Sequence, residues 1–242
     1  MDKNEGENQT TAAVTVGKCA KIPPVVHMIW YGVDAPSPLH HANEKYRRGY
    51  TSIVKNSMCE IKLWTKSDCE YLVEQYPEYE GIYRAANNIM KYDIMRYLIV
   101  YHCGGTYLDA DVVLKKPLAN ITANECFFIE NIVPISRNNP GYYEPIRKGV
   151  LEHPIRIANY AFSSKPKNPI FLEVLAEIRR RMFIQRAPKR DYDVLYLTGP
   201  DVVTSAIHAA KKTMPINVVS KLASNGIIQH TCAGAWRNTG RG

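Results

Sequence analysis

The sequence predicts a single α/β domain built on an open, Rossmann-like mixed sheet with helices on both faces. Three observations predict it. The 242 residues suffice for one sizeable core, 45% of them are apolar, as in soluble globular proteins, and strand patterns alternate with helical patterns along the chain. Residues 1–20 are polar and small, without apolar periodicity, so a flexible tail is expected there and the folded domain over 21–242.

Short apolar or alternating runs predict the strands, and segments of helical spacing predict the helices. The first strand, at 25–30, ends at Gly32, and the helix at 87–102 is apolar on nearly every face and ends at Gly104 and Gly105. Further strands are predicted at 60–64, 106–108, 112–114, 126–129, 157–162, 218–219 and 227–228. Further helices are predicted at 39–54, after a cap at Ser67 and Asp68, at 169–181 and at 199–210.

The net charge of +8, from 31 Lys and Arg against 23 Asp and Glu, favours an anionic partner. A nucleotide diphosphate, an acidic glycan, an anionic membrane surface and nucleic acid all satisfy that criterion. The charge is densest at 179–190, which is either a solvated helix face or a surface for an acidic acceptor or a membrane. No recognisable nucleic-acid-binding module accompanies the charge, so nucleic acid is the least favoured of these partners.

The compartment is predicted from what the sequence lacks. No run approaches the length of a membrane-spanning helix, and the first twenty residues have no signal-peptide pattern. The six cysteines form no C-x-x-C pair, so free thiols in a reducing compartment are expected. These features predict a cytoplasmic protein with no membrane span, for which peripheral membrane contact stays open.

Two charged residues stand out in the apolar helix predicted at 87–102. Asp93 and Arg96 are three positions apart and therefore share a helix face. Because burying a charge is costly unless it is paired, they either neutralise each other inside the core or together present hydrogen-bonding groups to a polar ligand.

A second acidic pair, Asp109 and Asp111, follows the strand predicted at 106–108. Alternation along an extended chain points both side chains the same way, with Ala110 between them facing elsewhere. Mg²⁺ and Mn²⁺ prefer oxygen ligands and commonly take one or two carboxylates together with substrate phosphates. A calcium loop is excluded, because Val113 and Leu114 occupy positions where that loop needs a ligand and a glycine.

The sequence around this D-x-D strongly resembles the sugar-binding region of a glycosyltransferase family. The matching stretches are Asp93-Ile-Met-Arg96-Tyr97, the run from Gly104 to Val112, and Lys116-Pro117-Leu118, with weaker likeness over 22–32, at 198–200 and as far as Trp236. The family comprises the yeast Golgi initiating α-mannosyltransferases, the inositol-phosphoceramide mannosyltransferases, the vertebrate α1,4-galactosyl- and α1,4-N-acetylglucosaminyltransferases and bacterial capsule enzymes. The clostridial glucosylating toxins share its core, and the fold implied is the GT-A type, with a glycosyltransferase catalytic domain over 21–242.

The resemblance also implies roles for individual residues. Asp109 would contact the metal and the ribose or sugar, Asp111 would bind the metal directly, and Asp93 and Arg96 would hydrogen-bond the sugar hydroxyls. His230 is either a third metal ligand or a structural histidine. The remaining donor-binding residues implied are Trp30, Tyr31, Tyr97, Gly105, Ala110, Asn159 and Trp236.

For some of these residues the sequence leaves an ordinary structural role open. Trp30 either stacks beside the nucleobase or packs in the core, Gly105 also fits a helix-terminating turn, and Asn159 also fits a backbone cap. Trp236 would close over the departing diphosphate, but Gly234-Ala235 replaces the serine that usually precedes it, so a metal contact from that position is not carried over.

The function implied is metal-dependent transfer, with Mn²⁺ or Mg²⁺, of a hexose-type sugar. The donor would be a UDP- or GDP-sugar, the acceptor a glycan, glycolipid or glycoprotein, and the stereochemistry retaining. The alternative is a non-catalytic nucleotide-sugar or glycan-binding protein with a basic surface. Hydrolysis of the donor in the presence of Mn²⁺ separates the two.

Overall fold

A six-stranded mixed sheet lies at the centre of the protein in a computed structural model, which describes residues 22–32, 35–118, 126–132, 155–185, 188 and 191–233. The predicted tail at 1–20 falls outside these residues. The spatial order of the strands is β2-β1-β3-β6-β5-β7, and β4 and β8 form a separate two-stranded ladder. The strands are β1 (Val25–Ile29), β2 (Glu60–Trp64), β3 (Gly105–Leu108), β4 (Val112–Leu114), β5 (Cys126–Ile132), β6 (Ile155–Ser164), β7 (Val218–Val219) and β8 (Ile228–His230).

The sheet is of mixed type: the strands at one edge are all parallel, and those towards the other edge include antiparallel pairs. Strands β2, β1 and β3 run parallel, β6 is antiparallel to both β3 and β5, and β7 runs parallel to β5. The helices are α1 (Glu44–Ser57), α2 (Lys66–Glu74), α3 (Pro77–Ala85), α4 (Asn88–Cys103), α5 (Ile170–Ile184), α6 (Asp191–Leu197), α7 (Pro200–Ala210) and α8 (Lys221–Ile227).

Helix α4 is the central helix, as the sequence predicts. Its residues from Met95 to Val100, apart from Arg96, are completely buried. The Asn87 side chain accepts a hydrogen bond from Met90 N at its start, and Gly104, with φ +68°, ends it. Because an unpaired charge is costly in such a buried helix, the partners of Asp93 and Arg96 indicate what the two residues do.

Two helix starts differ from the sequence prediction. The helix predicted from residue 39 begins at Glu44, because Asn43 caps it and residues 38–40 form a short 3₁₀ turn. The cap predicted at Ser67 and Asp68 is Thr65, whose hydroxyl accepts from Asp68 N while the Asp68 carboxylate accepts from Thr65 N. The sequence analysis missed α3, α6 and α8 entirely.

The basic segment at 179–190 is only partly a surface feature. Arg181 is 2% exposed and donates to the Glu177 carboxylate, to Tyr196 O and to the Ser205 hydroxyl, so it holds α5 against the following helices. Arg180 also pairs with Glu177, at 2.7 Å. Arg186, Lys189 and Arg190 lie outside the described residues.

The cysteines and the lengths of the helices bear on the expectations of free thiols and of no membrane span. None of the cysteines described, Cys59, Cys69, Cys103 and Cys232, is joined in a disulfide. In the same part of the chain, every helix is too short or too polar to cross a bilayer.

Candidate active site

The turn Asp109–Ala110–Asp111 connects β3 to β4. Asp109 N donates to Tyr160 O of β6, which holds the start of the turn against the sheet, and Val112 N donates back to Asp109 O at 3.0 Å, which closes it. The turn therefore lies at the carboxyl end of β3, the end at which open α/β sheets bind their ligands.

His230 reaches this turn from the other end of the sequence. Strand β8 pairs antiparallel with β4, in a register that places His230 opposite Val112. The His230 ring stacks on Tyr160, with centroids 4.1 Å apart, and its Nε2 lies 3.2 Å from Asp111 Oδ1. One ligand atom each from Asp109, Asp111 and His230 lies within 4.8 Å of the others, an arrangement able to hold a metal ion.

The residues after β8 cover Asp111. Thr231 donates from both its amide and its hydroxyl to Asp111 O, and Ala233 N donates to Asp111 Oδ2 at 2.7 Å. The Asp111 side chain is 9% exposed and the Asp109 side chain 25%. Asp109 is therefore the more open of the two carboxylates.

The electrostatics of the three groups depend on one another. Burial raises the pKa of Asp109, against the opposing effect of Arg96. Burial also opposes ionisation of Asp111, but hydrogen bonds from His230 and Ala233 outweigh it and lower the pKa of Asp111. Burial alone would lower the pKa of His230, yet its bond to Asp111 raises that pKa to about 10. Asp111 and His230 thus shift each other's pKa in opposite directions, each favouring the charged form of the other.

Asp93, Arg96 and Asp109 belong to one hydrogen-bonded network. Arg96 contacts Asp93 Oδ1 at 3.0 Å and Asp109 Oδ2 at 3.4 Å and donates to Asn159 O at 2.8 Å. Asp93 also accepts from Asn159 Nδ2 on Oδ1 and from the Thr198 hydroxyl on Oδ2. Burial, only partly offset by Arg96, raises the pKa of Asp93 to about 6. Asp93 and Arg96 therefore neutralise each other inside the core, as the first interpretation has it. Arg96 also contacts Asp109, a carboxylate of the candidate site, which connects the pair to the place where a polar ligand would bind.

The other donor-binding residues predicted from sequence fall into different places. Tyr97 is completely buried, stacks on Phe162 and donates to Thr198 O, so it is in the core below the site. Gly105 begins β3, at the opposite end of that strand from Asp109. Its φ is +88°, and a Cβ there would lie 2.7 Å from the Val25 side chain, so packing against β1 already accounts for this glycine.

Trp30 lies in an aromatic cluster rather than on an open surface. It is 9% exposed, donates from Nε1 to Ala35 O and packs edge-on against His41 and Tyr46. Tyr31 neighbours this cluster, and its carbonyl accepts from the Tyr92 hydroxyl. Contact of Trp30 or Tyr31 with a nucleobase stays a prediction, and Trp236 lies outside the described residues.

The sequence analysis missed several residues of the site. Burial, together with Asp111 and Asp109, raises the pKa of Tyr46 to about 12, which places its phenol in the field of both acids. The Tyr107 hydroxyl donates to Asp109 Oδ1 at 2.8 Å, and Thr231 and Ala233 hold Asp111. The spacing of Tyr107 and Asp109, two apart on an extended chain, could have revealed that contact. No local pattern marks Tyr46, Thr231 or Ala233.

Comparison with known proteins agrees with this geometry. Residues 39–128 match the family described as the glycosyltransferase sugar-binding region containing the DXD motif. Inositol phosphoceramide mannosyltransferase 1 of Schizosaccharomyces pombe is 23% identical over 235 residues, which cover 92% of this chain and 65% of that protein. The initiation-specific alpha-1,6-mannosyltransferase of Candida albicans is 24% identical over 173 residues, 64% of this chain and 42% of that protein. The chain spans between about half and two thirds of the length of the first relatives it matches.

Among solved structures, the PaToxG glycosyltransferase superposes with a TM-score of 0.52 at 17% identity, covering 80% of this chain and 71% of that one. At this identity the likeness concerns the fold alone. It confirms the predicted GT-A type of fold.

Proposed function

We propose that this chain, whose residues 39–128 match the DXD-containing glycosyltransferase family, moves a hexose from a UDP- or GDP-sugar to a glycan, lipid or protein acceptor. The observation that carries this proposal is the convergence of Asp109, Asp111 and His230, from two distant parts of the chain, within 4.8 Å at the end of β3. The donor, the acceptor and the dependence on a cation are the proposed parts. The mannosyltransferase relatives make GDP-mannose the first donor to test.

The ligand set fits a divalent cation such as Mn²⁺ or Mg²⁺. Two carboxylates supply hard oxygen ligands and one imidazole a nitrogen ligand, while donor phosphates and water would fill the remaining positions. The partly exposed side chain of Asp109 leaves an approach from solvent, and the raised pKa of His230 reflects the negative charge of the two acids that a cation would also feel. A cation held there would offset the negative charge that develops on the departing diphosphate.

The protein's own contribution is to orient these ligands before the donor arrives. The Tyr107 hydroxyl and the Arg96 guanidinium each contact a different oxygen of Asp109, which fixes the plane of that carboxylate. The Asp93–Arg96 pair adjoins Asp109 through the contact between Arg96 and Asp109, and we propose that this pair binds the sugar hydroxyls. Positioning of this kind, together with electrostatic stabilisation, supplies several kcal/mol without a strong base.

We propose that transfer retains the anomeric configuration. A covalent nucleophile would have to be a carboxylate that is not already committed to binding the cation or to pairing with Arg96. Asp93 has hydrogen-bonding partners on both oxygens, and so do Asp109 and Asp111. Among the described residues this favours front-face transfer within an ion pair. Product configuration, determined by NMR with any working acceptor, tests this part separately, and an inverted linkage would refute it without touching the cation.

The decisive experiment is a screen of UDP- and GDP-sugars for hydrolysis with Mn²⁺, with Mg²⁺ and with EDTA. We expect release of the nucleoside diphosphate from at least one donor, lost with EDTA and restored by the metal. Activity unaffected by EDTA would contradict the cation. Tight donor binding without turnover, in the presence of candidate acceptors, would favour the non-catalytic binding protein instead.

A further inference from the structure

Helix α1 packs on the backbone of the Asp109–Asp111 turn at Gly49. A Cβ at this position would lie 2.2 Å from Ala110 O, 3.0 Å from Asp111 Cα and 3.1 Å from Ala110 C. All three atoms belong to the backbone, so no side-chain rotation could relieve the contact. The peptide that joins the two acids therefore leans directly against α1, and only a hydrogen atom fits between them.

The same face of α1 also holds β4. The Ser52 hydroxyl accepts from Leu114 N at 2.8 Å, and Asn56 Nδ2 donates to Leu114 O at 2.7 Å. Gly49, Ser52 and Asn56 are spaced by three and four residues and so lie along one helix face. They contact the chain from Ala110 to Leu114 on the side away from β8, which pairs with the other edge of β4. The turn is thus held between a helix and a strand that are 170 or more residues apart in sequence.

We propose that Gly49 is a positioning residue for the cation site, because it sets how deeply the Ala110 peptide sits and so where Asp109 and Asp111 stand relative to His230. The inference rests on the proposed function of these acids as cation ligands. A methyl group at position 49 requires a shift on the order of 1 Å, several times the tolerance of about 0.2 Å expected for metal–ligand distances. Any part of this shift that the turn takes up would therefore move Asp109 and Asp111 relative to His230.

The test is Gly49→Ala, with Gly81→Ala as a matched control. Gly81 is also a helical glycine, in α3, but a Cβ there meets nothing within 4 Å. Both variants are made in the full chain and titrated with Mn²⁺ alone by electron paramagnetic resonance or calorimetry. We expect Gly49→Ala to weaken Mn²⁺ binding by about tenfold or more, the range for groups that orient metal ligands, while Gly81→Ala stays within twofold of wild type. A folded Gly49→Ala protein with wild-type Mn²⁺ affinity would overturn the proposal.

A second readout requires neither metal nor activity. The amides of Thr231 and Ala233 donate to Asp111, so their hydrogen exchange reports the position of Asp111 in the metal-free protein. Gly49→Ala should accelerate exchange at both amides, while amides in α3 keep their wild-type rates. If wild-type protein binds no Mn²⁺, the proposed function fails, and this exchange experiment still decides the role of Gly49.

Ser52→Ala covers the case in which Gly49→Ala does not fold. It removes the hydrogen bond that Leu114 N donates to the Ser52 hydroxyl and the one that this hydroxyl donates to Gly49 O. We expect a loss of about two- to fivefold in Mn²⁺ affinity with a small rise in exchange at Ala233. Wild-type values for both measurements in Ser52→Ala would count against α1 as the positioning element.

Discussion

A histidine ring from a neighbouring strand lies near each end of β3, His27 from β1 and His230 from β8, and the pKa values of the two are shifted in opposite directions. At the beginning of the strand, His27 Nε2 donates to Gly104 O and its Nδ1 accepts from Trp64 Nε1. At the far end, His230 meets the Asp111 carboxylate. Burial lowers the pKa of His27 to about 4, whereas Asp111, against the effect of burial, raises that of His230 to about 10.

The difference separates a structural polar group from one available for chemistry. Each His27 nitrogen has a neutral partner of matching polarity, so the ring is complete without a ligand. The pKa of His230 is instead raised, against the effect of burial, by its hydrogen bond to Asp111 and by the charges of Asp111 and Asp109. A cation bound at Asp109 and Asp111 could take the place of the proton on His230. The hydrogen-bond partners of His27 are neutral groups, and a cation could not take their place. The predictions below test this difference between the two histidines and their surroundings.

The largest expected effect is that of Asp111→Asn on catalysis. The substitution keeps the shape of the side chain but removes a ligand charge and the partner of His230, so donor hydrolysis and transfer should fall by about a hundredfold or more at saturating Mn²⁺. Steady-state kinetics with the best donor measures it. Glu74→Gln, which neutralises an exposed acid in α2, is the control and should match wild type. Wild-type turnover in Asp111→Asn would show that Asp111 is not a ligand of the catalytic cation.

His27 should make the fold sensitive to acid. Its pKa is about 4 when folded and about 6.5 when unfolded, so between these values the unfolded chain binds more protons. The stability that depends on neutral His27 is therefore complete above about pH 6.5 and is lost as the pH falls towards 4, by up to about 3 kcal/mol. Urea unfolding at pH 7.5, 5.5 and 4.5 measures the loss. His27→Gln should show a shallower pH dependence than wild type, and parallel curves would contradict this account of His27.

At the other end of β3, the prediction concerns the pH dependence of cation binding. Because His230 is protonated below its pKa of about 10, a cation must displace that proton, and Mn²⁺ affinity should rise with pH by up to about tenfold per unit. Calorimetry at pH 6, 7 and 8 tests this. His230→Ala should weaken binding by about 10- to 100-fold and flatten the pH dependence. A slope equal to wild type in the variant would show that another group carries the proton.

The contrast also shows how far a sequence can predict such a site. Strand β2 at Glu60–Trp64 and the buried helix α4 follow from periodicity, since the apolar pattern that packs them is local. The convergence of Asp109 and Asp111 with His230 was predicted only through the resemblance, because the β4–β8 pairing that creates it joins distant segments. The role of Gly49 has no local signature, because a close approach between backbones is a property of tertiary packing.

Prediction from sequence was also weakest where burial decides the role of a residue. Trp30 and Tyr97 have the chemistry for a donor contact and are both buried in the structure, so such a contact stays a prediction for each of them. The start of α1 was predicted too early because Leu39 belongs to the 3₁₀ turn Pro38–His40, which no local pattern separates from the helix capped by Asn43. Helix α3 begins at Pro77, a favourable first residue for a helix, but its short length gives too few turns for the period to stand out.

The smallest expected effect comes from Tyr107→Phe, which tests whether hydrogen bonds within the protein orient Asp109. Tyr107 is 2% exposed and stacks on Phe162, so phenylalanine keeps its packing and removes only the hydroxyl. The lost hydrogen bond to Asp109 should lower kcat/KM by about tenfold or less. It should also raise the pKa of Asp109 further, so that the acid limb of the pH–rate profile moves to higher pH. A change in stability with an unchanged pH profile would instead give the Tyr107 hydroxyl a purely structural role.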